Sequence, residues 1–256
     1  MMRLIVLCLL LAGAASAAAQ VVKGRLEWAH TVELRFMEDG VLSDVPVLAG
    51  QQVEKGDLLA VLDPREFEYS RVGAAARVMR AAAALARAER QLEWTAELYD
   101  RGLISDNERL ESEENAATAR AEHESAEAGL GRAEVALERT VLKAPFDGVV
   151  VSVNAWPGQT VVKQLQKDPL ITLADARQMV VRLRMTADNM QAFVPGQPLE
   201  VRVGDAGWRM GRVYRLGVES EDVIDRGVVY GLDVLFETWP DESLRPGQFA
   251  AVRLAR

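Results

Sequence analysis

The sequence predicts an elongated α+β protein of several domains, in which a long helical segment interrupts a small β domain and a further β domain follows. Two observations support this prediction. A motif rich in glycine and valine occurs twice, beginning at Gly40 and Gly148, and an alanine-rich segment of helical composition separates the copies. From Met179 onward, short runs of alternating apolar and polar residues are divided by turn signals.

The first residues have the pattern of a secretory signal peptide. Arg3 precedes an apolar run over residues 4–12, and small residues in an Ala-x-Ala order precede Gln20. We therefore predict a signal peptide at residues 1–19 and a mature chain outside the cytoplasm. The apolar run is too short to span a bilayer, so a retained anchor is not expected.

Charge and composition argue against several classes of function. The formal net charge of −8 disfavours nucleic-acid binding. The one cysteine, Cys8, lies within the predicted signal peptide, and His30 and His123 are far apart in the sequence. The sequence contains no nucleophile elbow, phosphate loop or zinc-protease helix. We therefore predict a protein that is not an enzyme, without catalytic, cofactor-binding or metal-binding residues.

The repeat predicts one β domain made of two symmetric halves, residues 31–63 and 141–175. After alignment of Gly40 with Gly148, further identical residues share one constant offset: Val45/Val153, Gly50/Gly158, Gln51/Gln159, Val53/Val161 and Lys55/Lys163. Short valine-rich runs between glycines and prolines are typical of small β-hairpins. A repeat split by an insertion indicates that the insertion projects from the domain.

Capping signals divide the inserted segment into two helices. Asp63 is a suitable N-cap for the first helix, and Glu66 is placed to complete a capping box with it. Gly102 interrupts the helical pattern. Ser105 and Glu108 then form a second capping box, which predicts the start of a new helix.

Apolar and small residues recur at heptad spacing and predict an antiparallel helical hairpin over residues 64–140, with its tip near residues 101–104. The seam of the first helix comprises Val78, Ala81, Leu85, Ala88, Leu92, Thr95 and Tyr99. That of the second comprises Ala116, Ala119, His123, Ala126, Leu130, Ala133 and Leu137. We interpret this seam as coiled-coil packing rather than a cofactor site, with His123 as a packed residue rather than a ligand.

The C-terminal part predicts a small barrel or sandwich, because five alternating runs are separated by signals such as Pro195-Gly196 and Pro246-Gly247. The predicted strands cover residues 180–185, 199–203, 211–216, 228–235 and 249–254.

Three motifs make the chain resemble the periplasmic adaptor (membrane fusion protein) family of bacterial efflux pumps and type I secretion systems. They are Leu142-Lys-Ala-Pro-Phe-Asp-Gly-Val-Val150, Gly50-Gln-Gln-Val-Glu-Lys-Gly56 and Leu244-Arg-Pro-Gly-Gln248. The resemblance implies a lipoyl-like β-sandwich built from the two half-motifs. It also implies a coiled-coil hairpin between them and a β-barrel domain formed by residues 20–30 and 176–256.

The resemblance further implies a periplasmic adaptor of an RND-type pump, associated with the inner membrane through that pump. The implied partners are an inner-membrane efflux transporter, an outer-membrane channel protein and further copies of the chain, as a hexamer or a trimer of dimers. No nucleic acid is expected. Because the chain ends at Arg256, a full membrane-proximal domain is not expected either.

The family's docking pattern at the hairpin tip is an Arg, a Leu four residues later and a Ser seven residues beyond that. Leu98 and Ser105 match it here, whereas Trp94 occupies the Arg position and Arg101 is a candidate to supply the charge. Ser105 also has a structural interpretation as an N-cap, and both roles remain open.

Other readings remain. Instead of an RND-type pump, the adaptor could serve an ABC-type efflux system or a type I secretion system. A lipoyl or biotin carrier module is a remote alternative, since such carriers present a lysine at the hairpin turn joining the two halves, where this chain has its helices. A secreted structural or adhesive protein with a coiled coil is a third reading.

Overall fold

The computed structural model describes residues 20–224, 227–239, 242 and 244–254, and the predicted signal peptide lies outside the described residues. In chain order the elements are β1 (Gln20–Trp28), β2 (Thr31–Leu34), β3 (Gly40–Asp44), β4 (Gln52–Val53), β5 (Leu58–Leu62), α1 (Arg65–Asp100), α2 (Asp106–Glu138), β6 (Val141–Lys143), β7 (Gly148–Val153), β8 (Thr160–Val161), β9 (Ile171–Ala174), β10 (Gln178–Thr186), α3 (Ala187–Met190), β11 (Pro198–Val203), β12 (Arg209–Ile224), β13 (Gly227–Glu237) and β14 (Phe249–Leu254). Two compact units result: a two-sheet unit, residues 31–174, and a barrel unit, which contains the described residues before and after it.

In the two-sheet unit, each copy of the repeat contributes a strand to the other copy's sheet. The strand orders are β2-β9-β7-β4 and β6-β5-β3-β8. The first copy's β4 pairs antiparallel with β7 of the second copy, and β8 of the second pairs antiparallel with β3 of the first. Neither sheet is complete without both copies, so the two copies are interlocked.

Hydrogen bonds between loops of the two copies repeat this exchange. The Lys55 backbone N–H donates to Asp147 Oδ1 at 2.7 Å, and the equivalent Lys163 N–H donates to Asp39 Oδ1 at 2.7 Å. Apolar side chains from both copies fill the interior, among them Leu42, Val53, Leu59, Leu62, Val150, Val161, Ile171 and Leu173. The symmetry of the sequence repeat is therefore also present in the hydrogen bonding.

A four-residue turn with glycine third and glutamine fourth occurs twice in each unit. The glutamine N–H donates to the carbonyl of the first residue, and the glutamine side-chain oxygen accepts the N–H of that residue. The four turns are Leu48–Gln51, Trp156–Gln159, Val194–Gln197 and Arg245–Gln248. Their glycines have φ of +85° or +86°, which a type II turn requires at its third position. The turns predicted at Pro195-Gly196 and Pro246-Gly247 are confirmed.

The start of α1 differs from the prediction. Pro64 is the N-cap residue, one position after the predicted Asp63, although Asp63 Oδ1 accepts the Arg65 backbone N–H at 3.1 Å. The predicted capping box with Glu66 is wrong, because the Asp63 N–H already donates to the Val41 carbonyl in the sheet, at 2.8 Å. The Arg65 side chain also donates to Asp63, and this hydrogen bonding lowers the pKa of the Asp63 carboxyl to about 2.

The two long helices pack along each other through small side chains. Ala74 and Thr95 of α1 and Ser112, Ala116, Ala119 and Ala133 of α2 are buried. The predicted seam positions from 78 to 95 and from 116 to 137 are all buried or half-buried. Across the pair, Arg120 forms an ion pair with Glu89 at 2.9 Å, which places these two residues level with each other.

Tyr99 was predicted to be the last residue of the buried seam of α1. The prediction is wrong, because Tyr99 is 39% exposed. At this height α2 offers Arg109 rather than an apolar residue, and the guanidinium lies 5.2 Å from the centre of the Tyr99 ring. The apolar seam therefore ends before the tip.

In the barrel unit, six strands close in the order β1-β10-β13-β12-β11-β14. The predicted strands from residue 180 onward all lie within β10–β14. The core contains Leu26, Met179, Val181, Leu183, Val201, Leu232, Val234, Phe236 and Val252. Asp233 is also buried, and Arg182 and Arg215 neutralise it at 2.8 and 2.6 Å.

Candidate docking site at the helix tip

The loop between α1 and α2 has a glycine in the left-handed conformation directly after Arg101, the C-cap residue of α1. Gly102 has φ of +71°, and its N–H donates to the Tyr99 carbonyl at 2.8 Å. The next N–H, of Leu103, donates to the Leu98 carbonyl at 3.0 Å. Such a Schellman pair satisfies carbonyl groups that the end of a helix leaves without partners. It leaves the Leu103 side chain 66% exposed.

The start of α2 is held by a reciprocal capping box. The Ser105 hydroxyl oxygen accepts the Glu108 N–H at 3.3 Å, while Glu108 Oε2 accepts both the N–H and the hydroxyl of Ser105 at 2.8 Å. Both hydrogen bonds from Ser105 lower the pKa of the Glu108 carboxyl, and the one from the backbone N–H has the larger effect. The capping box predicted from the sequence is confirmed.

Arg109 links the two helices just behind the loop. Its guanidinium stacks on Tyr99 of α1, and it also forms ion pairs with Asp106, at 3.0 Å, and with Glu113. A cation over an aromatic face adds roughly 0.5–1 kcal/mol at an exposed site. The tip therefore combines two capped helix ends with one contact between the helices.

The structure places the four predicted docking residues at or near this tip. Trp94 is 57% exposed, Leu98 is half-buried, and Arg101 and Ser105 are exposed. Trp94 and Leu98 are four residues apart and lie on one side of α1, and Arg101, the C-cap, follows three residues later. Ser105 lies beyond the loop, at the start of α2. Docking by these residues stays a prediction.

Sequence reasoning missed Leu103 and Leu110. Leu103 is the most exposed apolar residue of the loop, and Leu110, one turn into α2, is also exposed. One signal was available for Leu103, since an apolar residue often follows the glycine that ends a helix. Leu103 on the loop, Trp94 on α1 and Leu110 on α2 are thus three exposed apolar residues at or near the tip.

This arrangement suits contact with another protein. Exposed apolar surface rimmed by polar residues is a feature of protein interaction sites. In the described part of the chain, no group of three or more His, Cys, Asp or Glu residues could hold a metal ion.

None of the helices within the described ranges is both long enough and apolar enough to cross a membrane.

Comparisons with known proteins agree on one family. The family model described as "CzcB-like, barrel-sandwich hybrid domain" matches residues 31–175. The macrolide export protein MacA of Yersinia pestis is 27% identical over 247 residues, which cover 90% of this chain and 66% of that protein. The multidrug resistance protein MdtA of Klebsiella pneumoniae is 35% identical over 132 residues, covering 50% of this chain and 31% of that protein. The chain thus spans only part of the length of these relatives.

Solved structures show the same fold at low sequence identity. The membrane fusion protein Spr0693 from Streptococcus pneumoniae R6 has a TM-score of 0.72 and 16% identity, covering 93% of this chain and 99% of that one. A MacA–MexA chimera that contains the α-hairpin domain of Pseudomonas aeruginosa MexA has a TM-score of 0.66 and 24% identity, covering 92% and 82%. With the family model matching more than half of its residues, the chain belongs to the membrane fusion protein, or periplasmic adaptor, family through a CzcB-like barrel-sandwich hybrid domain.

Proposed function

We propose that this protein is the periplasmic adaptor subunit of a tripartite efflux system, which links an inner-membrane pump to an outer-membrane exit duct for export of small molecules. One observation carries the proposal most directly. The two-sheet unit, which the adaptor family model matches, bears a long helix pair that ends in an exposed apolar tip. The names of the relatives, an export protein and a resistance protein, are consistent with it.

The finer assignment follows from this proposal. The two-sheet unit is a lipoyl-like sandwich, the helix pair is its coiled-coil arm, and the barrel unit is the adaptor's β-barrel domain. Residues 1–19 direct export to the periplasm, where the chain assembles as a hexamer or a trimer of dimers. Transport energy then comes from the pump, which we take to be RND-type, with an ATP-driven pump as the alternative.

The tip provides the test. Leu103→Asp introduces a charge into a contact that must exclude water, and an unpaired buried charge costs several kcal/mol. The fold should tolerate it, because Leu103 is exposed and its structural contribution is a backbone hydrogen bond. Leu165→Asp is the matched control, since Leu165 is 76% exposed on a loop of the two-sheet unit.

The measurements are retention of an effluxed dye in a deletion strain without paralogues, and co-purification of the exit duct. We expect export to be lost with Leu103→Asp and kept with Leu165→Asp. Repeating the assay in strains that lack either the RND or the ATP-driven pump identifies the partner. Normal dye export in the deletion strain would refute the adaptor assignment.

For Ser105, the capping box sets the choice of substitution. Ser105→Thr keeps a hydroxyl that both accepts from and donates to Glu108, but adds a methyl group to the docking surface. Ser105→Ala removes the cap and costs about 1 kcal/mol of helix stability. If Ser105→Thr is as stable as the parent protein but does not support export, Ser105 belongs to the docking site. Full export by the Thr variant assigns Ser105 to capping alone.

A further inference from the structure

A cleft with strongly basic walls lies on the outer side of the barrel unit, where β1 is paired with β10 and with β14. Side chains alternate between the two faces of a strand, and the inner faces here carry core residues such as Leu26 and Leu183. The cleft has a volume of about 590 Å³, and the side chains that line it are Lys23, Arg25, Glu27, Arg182, Arg184 and Phe249. Four cations and one carboxylate thus line it, although the chain has a formal net charge of −8. We call it the basic cleft.

The strand register brings like charges next to each other in the basic cleft. β1 and β10 are antiparallel, and Arg25 is directly opposite Arg182. Two residues further in the same direction come Lys23 on β1 and Arg184 on β10, which line the same cleft. Like charges directly opposite each other destabilise a sheet. The fold therefore holds cations together at a cost that a bound anion relieves.

The carboxylates nearest to the basic cleft are both bound to Arg182. Its guanidinium forms ion pairs with Glu27, at 2.9 Å, and with the buried Asp233, at 2.8 Å. Lys23 and Arg25 are exposed, and neither forms an ion pair with another described residue. The charges of Lys23 and Arg25 are therefore available to a ligand.

Phe249 gives the basic cleft an apolar wall. It is opposite Arg25 in the register of β1 and β14, and it is 62% exposed. The Arg25 guanidinium lies 5.7 Å from the centre of the Phe249 ring. An inorganic anion would contact only the cations, whereas the ring offers a surface for an apolar substituent next to the charged group. The lining therefore suits an anion that carries an apolar group.

We propose that the basic cleft binds a phosphate ester, with the phosphate group at Lys23 and Arg25 and its apolar substituent against Phe249. A phosphate group fits these residues because its oxygens accept charge-assisted hydrogen bonds from arginine and lysine together. Arg184 adds positive charge at the same cleft. The volume of the cleft is in the range typical of small-ligand sites. The site goes beyond the proposed function and does not depend on it.

Calorimetric titration of the purified protein with phenyl phosphate tests the site. We expect Lys23→Gln/Arg25→Gln to weaken binding by about tenfold or more, because hydrogen bonds to a charged group are lost. The control Arg80→Gln/Arg212→Gln removes two exposed arginines that do not line the cleft, and it should bind like the parent protein. Phe249→Ser should weaken the binding of phenyl phosphate but not that of inorganic phosphate. An equal loss of binding in the control pair would overturn the site.

Thermal unfolding separates binding from folding. Because Arg25 is opposite Arg182, Lys23→Gln/Arg25→Gln should melt no lower than the parent protein. Phenyl phosphate should raise the melting temperature of the parent and leave that of the variant unchanged, since a ligand of the folded state stabilises it. A lower melting temperature of the variant together with unchanged binding would assign both residues to the fold and overturn the site.

Vesicles identify the source of the ester. The parent protein and Lys23→Gln/Arg25→Gln are sedimented with vesicles of phosphatidylglycerol and, as a control, of phosphatidylcholine. If the parent alone sediments, and only with phosphatidylglycerol, the ester is an anionic lipid headgroup. Binding of phenyl phosphate without binding of either vesicle means that the ester is a soluble compound. If the parent binds neither phenyl phosphate nor phosphatidylglycerol vesicles, the proposal is wrong.

Discussion

Glu108 shows how one side chain sets the geometry of the tip. Its carboxylate accepts two hydrogen bonds from Ser105 and thereby fixes the entry of the chain into α2. These bonds favour the ionised form and lower the pKa of the carboxyl in the folded protein. A carboxyl group with a depressed folded pKa contributes stability above its unfolded pKa and loses that contribution as the pH falls through the folded pKa.

We therefore predict that the first turn of α2 loosens on acidification below about pH 4, the ordinary glutamate range. Amide hydrogen exchange at residues 105–109 should accelerate there, whereas exchange in the middle of α2 should not. Glu108→Gln keeps an acceptor oxygen but does not titrate, so its exchange in this turn should lack the acid step. An equal acid step in both proteins would assign the effect to other carboxyl groups.

The helix pair shows which elements can be predicted from sequence. Seam residues such as Leu85 and Leu130 repeat with the helix period, and the Ser105 capping box depends only on residues three apart. The capping of α1 was mispredicted because the Asp63 N–H is bonded to a strand that precedes it by many residues. The exposure of Tyr99 likewise depends on Arg109 in the other helix. Local patterns identify the helices, but contacts between distant segments decide how they end.

The difference in burial between Leu98 and Leu103 predicts different effects of the same substitution on stability. Leu98→Asp should lower the free energy of unfolding by about 1–2 kcal/mol, because Leu98 is half-buried and burial of apolar surface is lost. Leu103→Asp should change it by less than about 0.5 kcal/mol, as is usual for exposed positions. Urea denaturation of both variants measures the difference. Equal values would mean that the two side chains are buried to the same extent.

At the scale of the whole molecule, the repeat predicted that the two halves correspond, but it did not reveal that they exchange strands. Nothing in a local pattern indicates that β4 pairs with β7 or β8 with β3, because these partners are far apart in the chain. The repeat also conceals an asymmetry. A Cβ atom on Gly148 would lie 2.3 Å from the Ala174 carbonyl oxygen, whereas the nearest neighbours of one on Gly40 would be Leu62 side-chain atoms, at 3.4–3.6 Å.

Gly148→Ala should consequently destabilise the two-sheet unit by about 1–3 kcal/mol, as overpacking usually does. Gly40→Ala, at the equivalent position, should cost much less, because the Leu62 side chain can adjust. Thermal unfolding of the two single variants provides a matched comparison. Similar melting temperatures would show that the backbone at Ala174 moves aside as easily as the Leu62 side chain.

The strand exchange also constrains the order of folding. Residues 31–63 cannot complete a sheet until residues 141–175 are present, since β3 needs β8 and β4 needs β7. Joining such distant segments through a flexible connection is slow, because chain entropy is lost before any contact forms. Helices α1 and α2 are built from local contacts and pair with each other, which brings Asp63 and Val141 together. We therefore expect the helix pair to form first. It would then hold the two halves of the two-sheet unit close together, so that their strands can pair quickly.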